Sequence, residues 1–370
     1  MKSLITPRAR VLAAINHQEP DRVPLDFLAT TELMQSTEAY LGLEARSDPC
    51  FPHWLAPHEP LLQRFQIDVR FVAPRYIGPE MPTFEDGSFM DVWGFRRAVT
   101  DYGLGKYYEF LDPRLADAKT VEEVDAYPWP DPDWWDYSVI KLQCEAYDRY
   151  AIIAGDDGTV DFINRSSFHR GYQQVMLDLA NQDPVLFRIF DHLSDFFYEH
   201  DRRILDAGGG RIDILHVGDD YGTQRDTVIS PRMYRTLFQP RWRRHIAQAR
   251  AYGCKVFHHS CGSSRRLLPD LINTGIDALT TVQPYADGME LRELKRLFGD
   301  RLAFDGTVDV QHDLPGRSPD YVRQIVRQRI DVMAPGGGFI LAPTHAAQPD
   351  VDPASFVALY DEALEYGWYK

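Results

Sequence analysis

Cysteine is scarce in this chain of 370 residues: four in all, Cys50, Cys144, Cys254 and Cys261, with no regular spacing. A fold built on disulfides is therefore excluded, and a reducing compartment is the expectation. No run of 18 or more apolar residues occurs, which excludes a membrane-spanning helix of ordinary length. The opening stretch MKSLITPRARVLAAINHQEPDR lacks the apolar centre and cleavage site of a signal peptide, so the cytoplasm is the expected location. Basic residues are outnumbered, 40 Lys and Arg against 55 Asp and Glu, a net charge of −15 that argues against nucleic acid or an anionic membrane as partner. Nucleotide-binding loops are missing too. No G-x-G-x-x-G follows a strand, and Gly336-Gly337-Gly338 precedes a strand instead of a helix.

What is present is a repeated unit. From about residue 212 a short apolar run alternates with an amphipathic helical stretch about five times, the pattern of parallel strands covered by helices. The runs lie at 212–217, 255–259, 278–282, 302–304 and 339–342, and the helices begin near Pro231, Ser264, Met289, Ser318 and Pro353. Ser230-Pro231, Ser318-Pro319 and Asp352-Pro353 each set a capping side chain before a proline at the first helical position. Earlier, 150–154 reads as a further strand running into Gly155-Asp156-Asp157-Gly158, followed by a long helix over about 183–207. The first 140 residues are less regular, with a helix at 7–16, a hairpin region near 84–107 and a Pro- and Trp-rich stretch at 126–135, and they read as insertions or a lid. Seven or eight strands in one chain of this length predict an α/β fold, a closed (β/α)8 barrel over 1–370, with an amino-terminal extension and regular units from about 150.

In such a barrel the chemistry collects at the carboxyl ends of the strands. The run at 212–217 ends in Gly218-Asp219-Asp220-Tyr221, the run at 255–259 in His259-Ser260-Cys261-Gly262, and that at 278–282 in Gln283-Pro284. The last two end in Asp305-Gly306 and Pro343-Thr344-His345. Side chains alternate along a strand, so His259 and Cys261 point one way, while His258 and Cys254 point the other and read as core. Neutral imidazole and thiolate are both good zinc ligands, and His345 is the natural third, leaving one position open as in catalytic zinc sites. The alternative for His345 is a hydrogen bond to substrate with no metal. Asp219, Asp220, Gln283 and Asp305 are the candidate catalytic residues. Adjacent carboxylates face opposite ways, so one of Asp219 and Asp220 is expected in the site and the other in a cap. Asp156 and Asp157 are weaker candidates in a turn, and His169 and His216 read as structural.

Taken in order, several stretches resemble the uroporphyrinogen decarboxylase superfamily, which includes zinc-dependent corrinoid methyltransferases. They are Asp219-Asp220-Tyr221-Gly222-Thr223-Gln224, Ile229-Ser230-Pro231-Arg232-Met233-Tyr234, His258-His259-Ser260-Cys261-Gly262-Ser263 and Leu268-Pro269-Asp270-Leu271-Ile272. Val282-Gln283-Pro284, Phe304-Asp305-Gly306 and Ala342-Pro343-Thr344-His345 complete the set. The resemblance implies the same barrel. It leans away from true decarboxylases: their Arg-rich Gly-Arg-Tyr signature is replaced by Arg22-Val23-Pro24-Leu25-Asp26-Phe27, and the strand end that carries their catalytic aspartate reads Val72-Ala73-Pro74. Arg8, Arg10 and Arg22 nevertheless keep that region basic. The methyltransferase branch uses an H-x-C pair of the spacing seen in His259 and Cys261, with a third ligand that is usually Cys where His345 stands here.

The resemblance thus implies a bound zinc ion and methyl transfer between a small O- or S-methyl compound and a corrinoid on a separate protein. An aromatic methyl ether suits the Trp- and Tyr-rich amino-terminal half. The expected partners are that substrate, the corrinoid protein and a second copy of the chain in a homodimer, with no nucleic acid and no membrane. The rival expectation is a metal-free decarboxylase of a small carboxylated substrate, with Asp219 stabilising a protonated intermediate and His345 binding it. A barrel that only binds a partner fits the clustered polar residues less well.

Overall fold

The computed structural model describes residues 5–155 and 160–369, so Asp156 and Asp157 lie outside the described residues. In chain order the strands are β1 (Val69–Val72), β2 (Arg75–Tyr76), β3 (Phe89–Met90), β4 (Arg96–Asp101), β5 (Lys106–Phe110), β6 (Trp135–Asp136) and β7 (Ala151–Ala154). They continue with β8 (Ile214–Gly218), β9 (Lys255–His259), β10 (Ala278–Val282), β11 (Ala303–Val308) and β12 (Phe339–Pro343). Seven of them form one curled sheet in the order β1-β7-β8-β9-β10-β11-β12, with every neighbouring pair parallel. These strands are buried on both faces, β7, β10, β11 and β12 along their whole length. That is why β7 and β12 read in the sequence as continuous apolar runs and not as alternation, while β11 carries the buried Asp305 and Thr307.

The gap between β12 and β1 is filled by residues 23–27. Leu25 makes a parallel bridge to Leu341, with Asp26 N–H to the Leu341 carbonyl at 3.0 Å and Leu341 N–H to the Pro24 carbonyl at 2.9 Å. On the other side the Asp68 N–H reaches the Leu25 carbonyl at 2.9 Å. This stretch is the eighth stave of the barrel, too short and too Pro-interrupted to form a full ladder.

Buried ion pairs hold it there. The Asp68 carboxylate, fully buried, accepts from Arg10 Nη1 at 2.5 Å, Arg22 Nη1 at 2.8 Å and the Leu25 N–H at 2.8 Å. Arg10 also binds Asp21 (Nε to Oδ1, 2.6 Å), and Arg8 binds Asp213 at 2.9 Å. The basic residues near the amino terminus are therefore engaged in closing the barrel and do not line its mouth.

The covering helices are anchored as their sequences specify. Ser230, Ser318 and Asp352 each accept a backbone N–H of the first turn, from Met233, Tyr321 and Ala354. The Pro319–Met333 helix buries Val322, Ile325, Val326, Ile330 and Met333, one stripe at three- and four-residue spacing. The Pro184–Gly208 helix buries Leu186, Ile189, Phe190, Leu193 and Phe197 and stops where Gly209 turns left-handed at φ +56°. Each such apolar side chain contributes roughly 1.5–3 kcal/mol on burial. The expected hairpin is a three-stranded antiparallel sheet, β3-β4-β5, and it packs outside the barrel. Among the described residues no helix is long and apolar enough to cross a membrane.

Candidate metal centre at the barrel mouth

β9 ends at His259, and its chain turns through Ser260, Cys261 and Gly262 across the mouth. The loop that follows β8 lies directly against it. Asp219 N–H bonds to the His259 carbonyl at 3.0 Å, Ser263 N–H to the Thr223 carbonyl at 2.7 Å and Tyr221 N–H to Ser260 Oγ at 3.2 Å. The approach is so close that a Cβ on Gly262, whose φ is +73°, would stand 2.5 Å from the Thr223 carbonyl oxygen. Gly262→Ala is expected to cost about 2 kcal/mol or more, since it adds left-handed strain to a backbone clash. Urea denaturation together with metal titration checks this, and unchanged values for both would refute the stated role of the glycine.

Donor atoms of His259, Cys261 and His345 lie within 4.8 Å of one another. Cys261 Sγ is 3.3 Å from His259 Nε2, and the two imidazole rings are nearly perpendicular with centroids 5.9 Å apart. His345 Nδ1 accepts the Ala346 N–H at 2.8 Å, which leaves Nε2 as its outward donor atom. The set comprises one thiol and two imidazoles from three separate positions in the chain, a combination that suits zinc and leaves room for a fourth ligand. Burial opposes charge on His259, but the Cys261 sulfur and Asp220 more than offset this and raise its pKa well above the usual value. Desolvation at the rim, then adjacent His259, push His345 down to about 4, although its outer edge meets solvent.

The two adjacent aspartates part company. Asp220 faces the cluster: Oδ1 is 3.2 Å from His259 Nε2 and accepts the Cys261 N–H at 2.8 Å, and Oδ2 accepts from Asn164 Nδ2 at 3.0 Å. Burial works against its ionisation, but these contacts hold its pKa well below the carboxylate range. Asp219 is fully buried, accepts the Ile163 N–H at 2.9 Å and hydrogen-bonds to Asp161. Burial first, then the Asp161 charge, raise its pKa well above the usual value, so this pair shares a proton.

Gln283 does not contact the three donors through its own bonds; its Oε1 accepts the Gly262 N–H at 2.5 Å and so fixes the turn that carries Cys261. Asp305 sits inside the barrel, hydrogen-bonded to Asp26 of the eighth stave. Burial raises both, Asp26 to about 6, and the mutual repulsion keeps one of them protonated. Near the same end two β-branched residues hold left-handed backbone, Thr281 at φ +60° and Thr307 at φ +84°, where the β10–β11 register slips. His258 turns away, stacked on Tyr221 at 5.8 Å, and Cys254 Sγ bonds to the Ile212 carbonyl, both in the core. His216 stands 6.1 Å from His259 with its Nε2 3.3 Å from Thr280 Oγ1. Asn164, Asp161 and Asp26 were not legible as site residues. Asp161 caps the Phe162–Arg170 helix by accepting the Asn164 N–H, an Asp three residues before an Asn that reads locally as a helix start.

Residues 163–366, more than half of the chain, match the family model described as Uroporphyrinogen decarboxylase (URO-D). The chain belongs to the uroporphyrinogen decarboxylase family. All three donor residues, Asp219, Asp220, Gln283 and Asp305 fall within the matched span. No curated protein matches the chain. Among solved structures it is similar to a methyltransferase from Methanosarcina mazei, with a TM-score of 0.64 at 16% identity over 98% of this chain and 99% of that one. At that identity the likeness is one of fold, and it extends through the amino-terminal part that the family model leaves out. The catalytic domain of a β-amylase from Paenibacillus polymyxa aligns at a TM-score of 0.32 and 8% identity, over 94% of this chain and 100% of that one.

Proposed function

We propose that this family member is a zinc-dependent methyltransferase that moves a methyl group between a small O- or S-methyl compound and a corrinoid carried on a partner protein. The observation that carries the reading is the convergence of His259, Cys261 and His345 at one end of the barrel, within 4.8 Å of one another. His259 through Nε2, Cys261 through Sγ and His345 through Nε2 are the residues that would hold the metal. Bound there, zinc supplies a Lewis acid that lowers the pKa of a coordinated thiol or hydroxyl, making it a better methyl acceptor or leaving group.

The protein's own part is to aim these donors. Asp220 bonds to the His259 imidazole and to the Cys261 backbone at once, Asn164 fixes Asp220, and Gln283 fixes Gly262. Asp220 Oδ1 stands against the same His259 Nε2 that would face the metal, so its part would be a negative charge beside the ion and a hold on the Cys261 backbone, not a hydrogen bond to the opposite ring nitrogen. The rival decarboxylase reading asks Asp219 to touch an intermediate, and its burial beneath Ile163 and Asp161 speaks against that. Two measurements test the proposal: zinc content of protein purified without chelator, expected at about one per chain, and methylation of free cob(I)alamin followed by absorbance. Metal-free protein that releases carbon dioxide from a small acid would replace this reading with its rival.

A further inference from the structure

Two acids inside the barrel, Asp26 and Asp305, are used neither by the metal donors nor by the ion pairs that hold the stave. Phe27, the neighbour of Asp26, packs outward on Phe356 and Tyr360 of the Pro353–Tyr366 helix, with ring centroids 5.6 and 5.7 Å away, so Asp26 faces the interior. It is half-buried there, and Asp305 is buried. Only β12 separates the two backbones: Asp305 pairs with Ile340, and the Leu25–Leu341 bridge sets Asp26 beside Ala342. The small Ala342 side chain leaves room for the carboxyl groups to meet in a hydrogen bond.

Thr307 adds a third polar group. It pairs with Ala342 and so shares that face; it is fully buried, and its hydroxyl has no hydrogen-bond partner among the described residues. Arg70, whose charge is felt at Asp26, is taken up by Glu59 and by the Ile67 and Val69 carbonyls. An unpaired buried hydroxyl and two acids sharing one proton both cost stability, which apolar side chains in the same places would not.

The pair lies level with the metal centre. His259 pairs with Thr280, and the β10–β11 register, Leu279 with Phe304 and Val282 with Gly306, brings Asp305 opposite 280–281. Asp305 is thus two strands from His259, roughly 10 Å across the sheet.

We propose that Asp26, Asp305 and Thr307 hold the far end of the substrate whose methyl-bearing atom meets the metal, selecting a hydrogen-bond donor there, hydroxyl or ammonium, and rejecting a carboxylate. This rests on the metal reading above and names the class of substrate that site takes. One negative charge shared by two acids accepts strongly from a donor and repels an anion.

The probes are 4-mercaptobutan-1-ol, butane-1-thiol and 4-mercaptobutanoate, which offer the metal the same thiol and differ at the far end. They are titrated into cobalt-loaded protein and followed by sulfur-to-metal charge-transfer absorbance. The alcohol should bind tighter than the plain thiol by roughly tenfold or more, and the carboxylate more weakly than both. Asp26→Asn combined with Asp305→Asn keeps the shape and removes the charge. It should erase both differences while the cobalt spectrum is kept, and the melting temperature should hold or rise as the repulsion is relieved. If that variant does not fold, Ala342→Val, which crowds the pair, should abolish the preference for the alcohol. Equal affinities for the three thiols in the unaltered protein overturn this inference alone, and so does a preference that survives the double variant. A cobalt spectrum that no thiol changes overturns the metal reading and this inference with it.

Discussion

Cys261→Ser is expected to leave the barrel folded and to reduce zinc affinity by more than about 100-fold. The bound rests on a comparison: losing a group that merely orients a metal ligand costs 10–100-fold, and Cys261 is itself a proposed ligand. A serine hydroxyl at the same place is a poor zinc donor at neutral pH, where the thiolate is a good one. Asp220→Asn should cost less than Cys261→Ser, because Asn keeps the hydrogen bond from the Cys261 N–H and removes only a negative charge that would stand beside the bound ion. Cys254→Ser is the control. Burial pushes that thiol up to about 12 and its sulfur bonds to a carbonyl, so it holds no thiolate and its loss should leave zinc untouched. Competition with a chromophoric chelator gives the affinities, and cobalt substitution gives a second readout, since the sulfur-to-metal charge-transfer band should vanish only in Cys261→Ser. Zinc binding indifferent to Cys261→Ser would remove the metal centre from the account.

How much of this was visible beforehand depends on where the information sits. β9 and β10 have the boundaries their runs predict, and β12 extends one residue further, because parallel strands covered on both faces are mostly apolar and so stand out from the polar stretches around them. β11 was read as ending at Phe304 and continues to Val308, since Asp305, Gly306 and Thr307 are polar or small yet buried in the barrel interior. The eighth stave escaped notice because residues 23–27 contain a proline and pair through single bridges, so no periodic signal marks them. His259, Cys261 and His345 were found because a strand end combined with ligand chemistry is a local signal. Asn164 and Asp26 were not, because each acts through a partner far along the chain: Asp220 for one and Asp305 for the other. Alternation left open which of Asp219 and Asp220 faces inward, and it could not do more, since β8 stops at Gly218. The hydrogen bonds of the neighbouring loops make that choice.

The same stave provides the largest expected loss of stability. Asp68→Ala removes the acceptor shared by Arg10, Arg22 and the Leu25 N–H, and leaves two guanidinium groups buried with less to face. Breaking a buried pair from one side costs about 3–5 kcal/mol, because the desolvation of the remaining charge is no longer compensated. With an unfolding entropy of about 2.1 cal/mol/K per residue, a chain of this length should lose about 4–6 °C in Tm. Arg8→Ala is the contrasting case. Its pair with Asp213 is of similar length, but the Arg8 side chain is 45% exposed, and an ion pair in contact with water is worth about 1 kcal/mol or less. Differential scanning calorimetry of the two variants should therefore separate them several-fold. Equal and small shifts would mean that the stave is held by its backbone bonds and apolar side chains alone. A large shift for Asp68→Ala would show that the buried network of Arg10, Arg22 and Asp68, and not the backbone bridges alone, holds the stave against β1.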